Sequence, residues 1–194
     1  SLHDALPICA FMGGILVMAD NHNIILGEKE TFLVRVLMGK LKDSGMGCDF
    51  VPWHINEINE HWDDDALITI YMSDKERPAE DVIHFLKDKM SEAQSQLIVV
   101  GEAGGVGFIE KRIPGDMIYR KLIRPIDNDE YVKIVQKLFD KISQGDFKKT
   151  ILIVDDDASY LGLVREWLKG IYKVAMANSG LQAIKWLGKN KADL

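Results

Sequence analysis

Apolar residues fall into short continuous runs separated by stretches of helical period. Ile15-Leu16-Val17-Met18-Ala19 is an apolar run ended by Asp20, and it reads as a buried strand. A loop containing Asn and Gly follows. Over 30–42, Phe32, Leu33, Val36, Leu37 and Leu41 recur at helical spacing, and Gly45 and Gly47 stop that helix. The alternation continues with a strand over 48–53, a helix over 55–62, a strand over 66–72, a helix over 79–90 and a strand over 96–100. After a glycine-rich stretch at 101–116, a strand over 118–123 is closed by Arg124-Pro125, and a helix covers 129–143. Strands separated by helices imply βαβ crossovers and a parallel sheet covered on both faces.

After a short polar linker, 144–149, the pattern starts again. A strand over 151–154, a helix over 158–169, a strand over 172–177 and a helix over 180–187 follow in order. The run from Ile15 to Asp20 matches the run from Ile151 to Asp156, so the chain reads as two copies of one α/β unit in tandem. The second copy stops after two strand-helix units, which leaves the apolar sides of its elements uncovered.

Composition narrows the classes. The chain has 194 residues, a net charge of −6 and a pI near 5.4, which argues against a nucleic-acid surface. Cys9 and Cys48 have neither metal spacing nor a disulfide framework and fit reduced thiols in a cytoplasmic protein. The apolar stretch 5–19 lacks a basic flank and is interrupted by Pro7 and Gly13-Gly14, so neither a signal segment nor a membrane span is expected. Residues 1–11, beginning Ser1-Leu2-His3-Asp4, read as a non-native or disordered leader, with Met12 as the native start.

The densest chemical signal is Asp155-Asp156-Asp157 at the end of an apolar strand. Open α/β sheets place ligand sites outside the carboxyl ends of their strands. Adjacent carboxylates repel, and a hard cation such as Mg²⁺ bound by oxygen ligands relieves that repulsion. Asp63-Asp64-Asp65 precedes a strand and reads as a solvated turn. His22, His54, His61 and His84 show no metal spacing. Gly101-Glu102-Ala103-Gly104-Gly105-Val106-Gly107 fits no phosphate-loop pattern and reads as a flexible loop. Trp167 and Trp186 fall at apolar helical positions and read as core or interface.

Residues 149–194 resemble the first half of a response-regulator receiver domain, the phospho-acceptor module of two-component signalling. Ile151-Leu152-Ile153-Val154-Asp155-Asp156-Asp157 matches the first strand and acid pair of that family. Ala177-Asn178-Ser179-Gly180 with Ala183 matches its second strand-to-helix junction, and Ala192-Asp193-Leu194 the lead-in to its third strand. The resemblance implies a flavodoxin-like (CheY-like) fold, a doubly wound five-stranded parallel sheet followed by the first βαβα of a second copy. It also implies Asp155 and Asp156 as Mg²⁺ acids, Asp157 as a helix cap, and a phospho-acceptor aspartate beyond Leu194. Expected partners are a sensor histidine kinase or phosphotransfer protein, with receiver–receiver contacts or a homodimer.

Residues 14–143 resemble a receiver more distantly, and the departures are informative. Ala19 and Asp20 stand at the acid pair, Tyr71-Met72 at the acceptor position, Gly101-Glu102 where a Thr or Ser hydroxyl is expected, and Arg124-Pro125 in place of Lys-Pro. Arg keeps the charge without the compact ammonium. The resemblance therefore implies a degenerate receiver at 12–143, a linker at 144–149 and a truncated second receiver at 150–194. The chain is expected to be a signalling fragment, not an enzyme. Two alternatives remain open at this stage. One is a phosphatase of the haloacid-dehalogenase type, from the Asp155-x-Asp157 spacing; the other is a non-catalytic flavodoxin-like scaffold.

Overall fold

The computed structural model describes residues 21–62 and 66–194, together with the backbone of 10–12 and 15–17. Two compact units divide the chain, Ser1–Val135 and Gln136–Leu194. The division falls upstream of the expected linker at 144–149.

In the first unit, strands β1 (Ala10–Met12) and β2 (Ile15–Val17) form an antiparallel pair of their own. The main sheet contains β3 (His22–Gly27), β4 (Gly47–Pro52), β5 (Leu67–Met72), β6 (Leu97–Gly101) and β7 (Ile118–Ile123). All neighbours are parallel, in the order β4-β3-β5-β6-β7. This is the flavodoxin-like doubly wound order, with its switch point beside the first strand of the sheet.

One expectation is corrected here. The run 15–19 is not the first strand of the parallel sheet: among the described residues Ile15–Val17 pairs with Ala10–Met12 in a separate two-stranded sheet. That place belongs to His22–Gly27, within the stretch expected to be a loop. Ala19 and Asp20 lie outside the described residues, as do Cys9 and Asp63-Asp64-Asp65. The connection to the next helix is Glu28 to Thr31.

The central strands explain the continuous apolar runs. Every residue of β5 and β6 is buried, as strands covered on both faces must be. Side chains alternate between the faces. One face carries Ile24, Leu26, Ile68, Ile70 and Val99, packed in one apolar cluster with Ile83 and Leu86 of α3 (Glu80–Ala93) and Ile109 of α4 (Ala103–Glu110). The other face carries Asn23, Ile25, Thr69, Tyr71 and Ile98. Tyr131 of α5 (Asn128–Ser143) hydrogen-bonds to Asn23 and Thr69, which puts α5 on that side. Each large apolar side chain so buried contributes roughly 1.5–3 kcal/mol.

Helix boundaries follow local chemistry. Thr31 caps α1 (Phe32–Asp43) by accepting from the Val34 amide at 3.3 Å. Gly45, at φ +80°, turns the chain out of that helix, while the Met46 amide donates to the Leu41 carbonyl. The stretch 101–107 is not a flexible loop: after the end of β6 at Gly101 it forms the first part of α4, and a short turn of 3-10 helix at Gly115–Met117 then leads into β7.

The second unit contains β8 (Thr150–Val154), α6 (Ala158–Leu168), β9 (Lys173–Ala177) and α7 (Gly180–Leu187), with β8 and β9 parallel. At the two ends of β8, the Lys149 carbonyl accepts from the Lys173 amide and the Asp155 amide donates to the Ala177 carbonyl, so both face β9. Thr150 and Leu152 face the opposite edge. There the Thr150 carbonyl accepts from the Asp193 amide at 2.8 Å, and the Leu152 amide donates to the Leu194 carbonyl at 2.9 Å. The segment at 193–194 therefore holds the same place beside β8 that β5 holds beside β3. Apolar side chains are widely exposed in this unit, among them Leu163, Trp167, Leu181 and Ile184. Trp167 is 67% exposed, so it is not a core residue; Trp186 is half-buried.

Candidate functional site

The carboxyl edge of the first sheet gathers most of the residues singled out in the sequence. β3 ends at Gly27 and is followed by exposed Glu28. β5 ends at Tyr71-Met72, β6 at Gly101 followed by Glu102, and β7 at Ile123 followed by Arg124, whose peptide bond to Pro125 is cis. The structure thus brings Tyr71, Glu102 and Arg124 to one edge. The acidic residue following the first strand of the sheet is Glu28, and the reading of Asp20 in that role is replaced.

These groups are not arranged as a metal site. Glu102 Oε2 accepts from the Asp74 amide at 2.8 Å, Asp74 Oδ1 from the Gly105 amide at 2.8 Å, and Glu76 Oε2 from the Ser73 amide at 2.6 Å. The carboxylates clamp the loop after β5 onto the start of α4. Glycine is required for that closeness. A Cβ on Gly101 would stand 2.3 Å from the Met72 carbonyl oxygen, and one on Gly105 would stand 2.9 Å from that of Ser73. No hydroxyl-bearing side chain fits at position 101 while the end of β5 stays where it is.

Tyr71 is nearly buried, and Arg124 carries its guanidinium carbon 5.4 Å from the centre of the Tyr71 ring, within cation–π range. Burial pushes the Tyr71 phenol up from its ordinary value, opposed in part by the positive charge of Arg124. Among the described residues, no carboxylate pairs with Arg124. A cavity of about 410 Å³ opens beside it, walled by Leu33 and Leu37 of α1, Tyr71, Glu102, Pro125 and Ile126.

In the second unit the three acids divide their work. Asp157 caps α6, its Oδ1 accepting from the Ser159 amide at 2.8 Å and the Tyr160 amide at 3.1 Å. Asp155 Oδ1 accepts from the Asp157 amide at 2.8 Å, which fixes its direction at the strand end. Asp155 also borders a smaller cavity of about 180 Å³ with Ile153, Tyr160 and Val164. At the next junction Ser179 caps α7 through the Gln182 amide, while the Gln182 side chain accepts from the Asn178 amide.

Sequence reasoning missed one cluster. Glu57, Glu60 and His61, at the end of helix α2 (Ile55–Glu60), hold potential metal-ligating atoms within 4.8 Å of one another. Their spacing along one helical turn was the available signal. The group is largely exposed and sits at the end of α2, on the connection between β4 and β5.

No protein-family model matches the chain, and no curated protein matches it. Solved structures do. A sensor protein from Polaromonas sp. JS666 aligns at 16% identity and a TM-score of 0.46, over 62% of this chain and 97% of that one. A response regulator receiver domain protein from Clostridium thermocellum aligns at 10% identity and a TM-score of 0.48, over 64% of this chain and 98% of that one. The receiver domain of NtrC4 from Aquifex aeolicus aligns at 16% identity and a TM-score of 0.46, over 63% of this chain and 98% of that one. The strand order and parallel registers described above define the flavodoxin-like class independently of these alignments. No helix among the described residues is long and apolar enough to cross a membrane.

Proposed function

We propose that the chain belongs to a two-component response regulator with tandem receivers, the first degenerate and the second phosphorylated on aspartate. The observation that carries this reading is the hydrogen bonding of 193–194 along β8, on the edge opposite β9. It repeats the placement of β5 beside β3, which supports a third strand of the second sheet at that edge. A strand there would end, as β5 does at Tyr71-Met72, beside the end of β8 that carries Asp155 and Asp156.

The donor set at the end of β8 suits Mg²⁺, which is held by one or two carboxylates together with phosphate oxygens and water. Asp155 has one oxygen oriented by the Asp157 amide, and exposed Asp156 adds a second carboxylate next to it. When bound there, Mg²⁺ neutralises the charge that builds up as a phosphoryl group meets a carboxylate. Asp157 is committed to the helix cap, which disfavours the dehalogenase-type reading of Asp155-x-Asp157. The first copy has Tyr71 in place of the acceptor and no room for a side chain at Gly101. It acts through regulated contact with a kinase, a phosphotransfer protein or another receiver, not through turnover.

The gene sequence following Leu194 tests this reading. It should complete an apolar strand ending in aspartate, followed later by a strand ending in Thr or Ser and then by Lys-Pro. A continuation without that aspartate would overturn the assignment of the second copy.

A further inference from the structure

The cavity at the carboxyl edge of the first sheet has the build of a small-molecule site. Its volume of about 410 Å³ lies within the usual range for such sites, roughly 300–1,000 Å³. Leu33, Leu37, Pro125 and Ile126 make its wall mainly apolar, while Arg124 supplies a positive charge without a carboxylate partner among the described residues. A guanidinium held near an aromatic face keeps its outer N–H donors for an incoming anion, and a carboxylate matches that fork in two parallel bonds.

The charge balance selects among anions. Glu102 lies on the same wall, its Oε2 accepting from the Asp74 amide at 2.8 Å. One cation facing one fixed anion accommodates a single added negative charge better than two. An inorganic phosphate would also leave the apolar wall uncovered. We infer that the first unit binds a small organic monocarboxylate, its carboxylate on Arg124 and its apolar body against Leu33, Leu37 and Ile126. This goes beyond the proposed signalling role and does not depend on phosphorylation of the second copy.

Titration of the full chain with 3-phenylpropionate, followed by backbone amide shifts, tests the site. Saturable shifts at Leu33, Arg124 and Ile126 are expected, with a Kd of about 1 mM or tighter for a ligand of this size. The neutral 3-phenylpropanol and inorganic phosphate should each bind at least about tenfold more weakly. Arg124→Ala should weaken 3-phenylpropionate about tenfold or more. Glu102→Gln should tighten it and raise the affinity for phosphate. If Arg124→Ala loses its dispersed spectrum, Leu33→Trp decides the matter: position 33 is 45% exposed, and the larger ring should fill the cavity mouth and abolish binding. Absence of saturation up to about 10 mM would overturn the inference. Equal binding of the alcohol would overturn it too, as would binding unchanged in every folded variant.

Discussion

Tyr131, Asn23 and Thr69 form a closed ring of hydrogen bonds in the interior of the first unit. Asn23 Nδ2 donates to the Tyr131 hydroxyl at 3.0 Å, and Thr69 Oγ1 donates to Asn23 Oδ1 at 3.1 Å. The Tyr131 and Thr69 oxygens lie 2.9 Å apart, so the phenol can donate to Thr69 and complete the ring. All three side chains are buried, and removing one member leaves each of the other two short of one hydrogen bond. Tyr131→Phe should lower stability by about 1–3 kcal/mol in denaturant titration, and an unchanged midpoint would contradict this account. The ring also explains why β3 was hidden in the sequence. Asn23 beside His22 and ahead of Gly27 looks like loop chemistry, and its partner Tyr131 is far along the chain. Cys48 lies beside Asn23, and burial pushes its thiol from 9.0 up to about 12. A raised folded value means that the stabilisation is present below pH 9.0 and is lost as pH rises toward 12. Stability should therefore fall with pH across that window, and Cys48→Ala should flatten the early part of the slope.

At the scale of elements, hydrophobic patterning located β4 to β9 and every helix but α4, to within a few residues. It failed where a local signal was outweighed by tertiary contact. The run at 15–19 is more apolar than 22–27, yet the second stretch enters the sheet because neighbours on both sides satisfy its backbone and its polar side chain. α4 escaped because Gly101, Gly104, Gly105 and Gly107 read as a loop. Three of these positions instead allow close approach to the strand and loop of β5, while Gly107 faces open space. Paired substitutions separate the two roles. Gly107→Ala should stabilise the protein by roughly 0.5–1 kcal/mol through helix propensity. Gly101→Thr, which restores the hydroxyl expected at that strand end, should destabilise it by roughly 1–3 kcal/mol because it drives a side chain into the Met72 carbonyl. A neutral Gly101→Thr in thermal unfolding would contradict the packing described here.

At the scale of the whole molecule, the two units place different groups at the carboxyl ends of their strands. The first has all five strands of its parallel sheet and gathers Tyr71, Glu102 and Arg124 at the edge, with its carboxylates engaged by backbone amides. The second has the clustered acids at the end of β8 and hydrogen bonds reaching onto the segment at 193–194. The acid cluster and the helix cap at Asp157 were legible in the sequence because both are local. The identity of the acid after the first strand was not, because it depended on which of two neighbouring runs enters the sheet. The most direct test is phosphoryl mapping on the protein with its natural continuation after Leu194, incubated with acetyl phosphate and Mg²⁺. The account predicts one acid-stable, hydroxylamine-labile adduct on an aspartate beyond Leu194, lost in Asp155→Asn and Asp156→Asn and absent from the first unit. An adduct within the first unit, or one that persists in both substituted proteins, would contradict it.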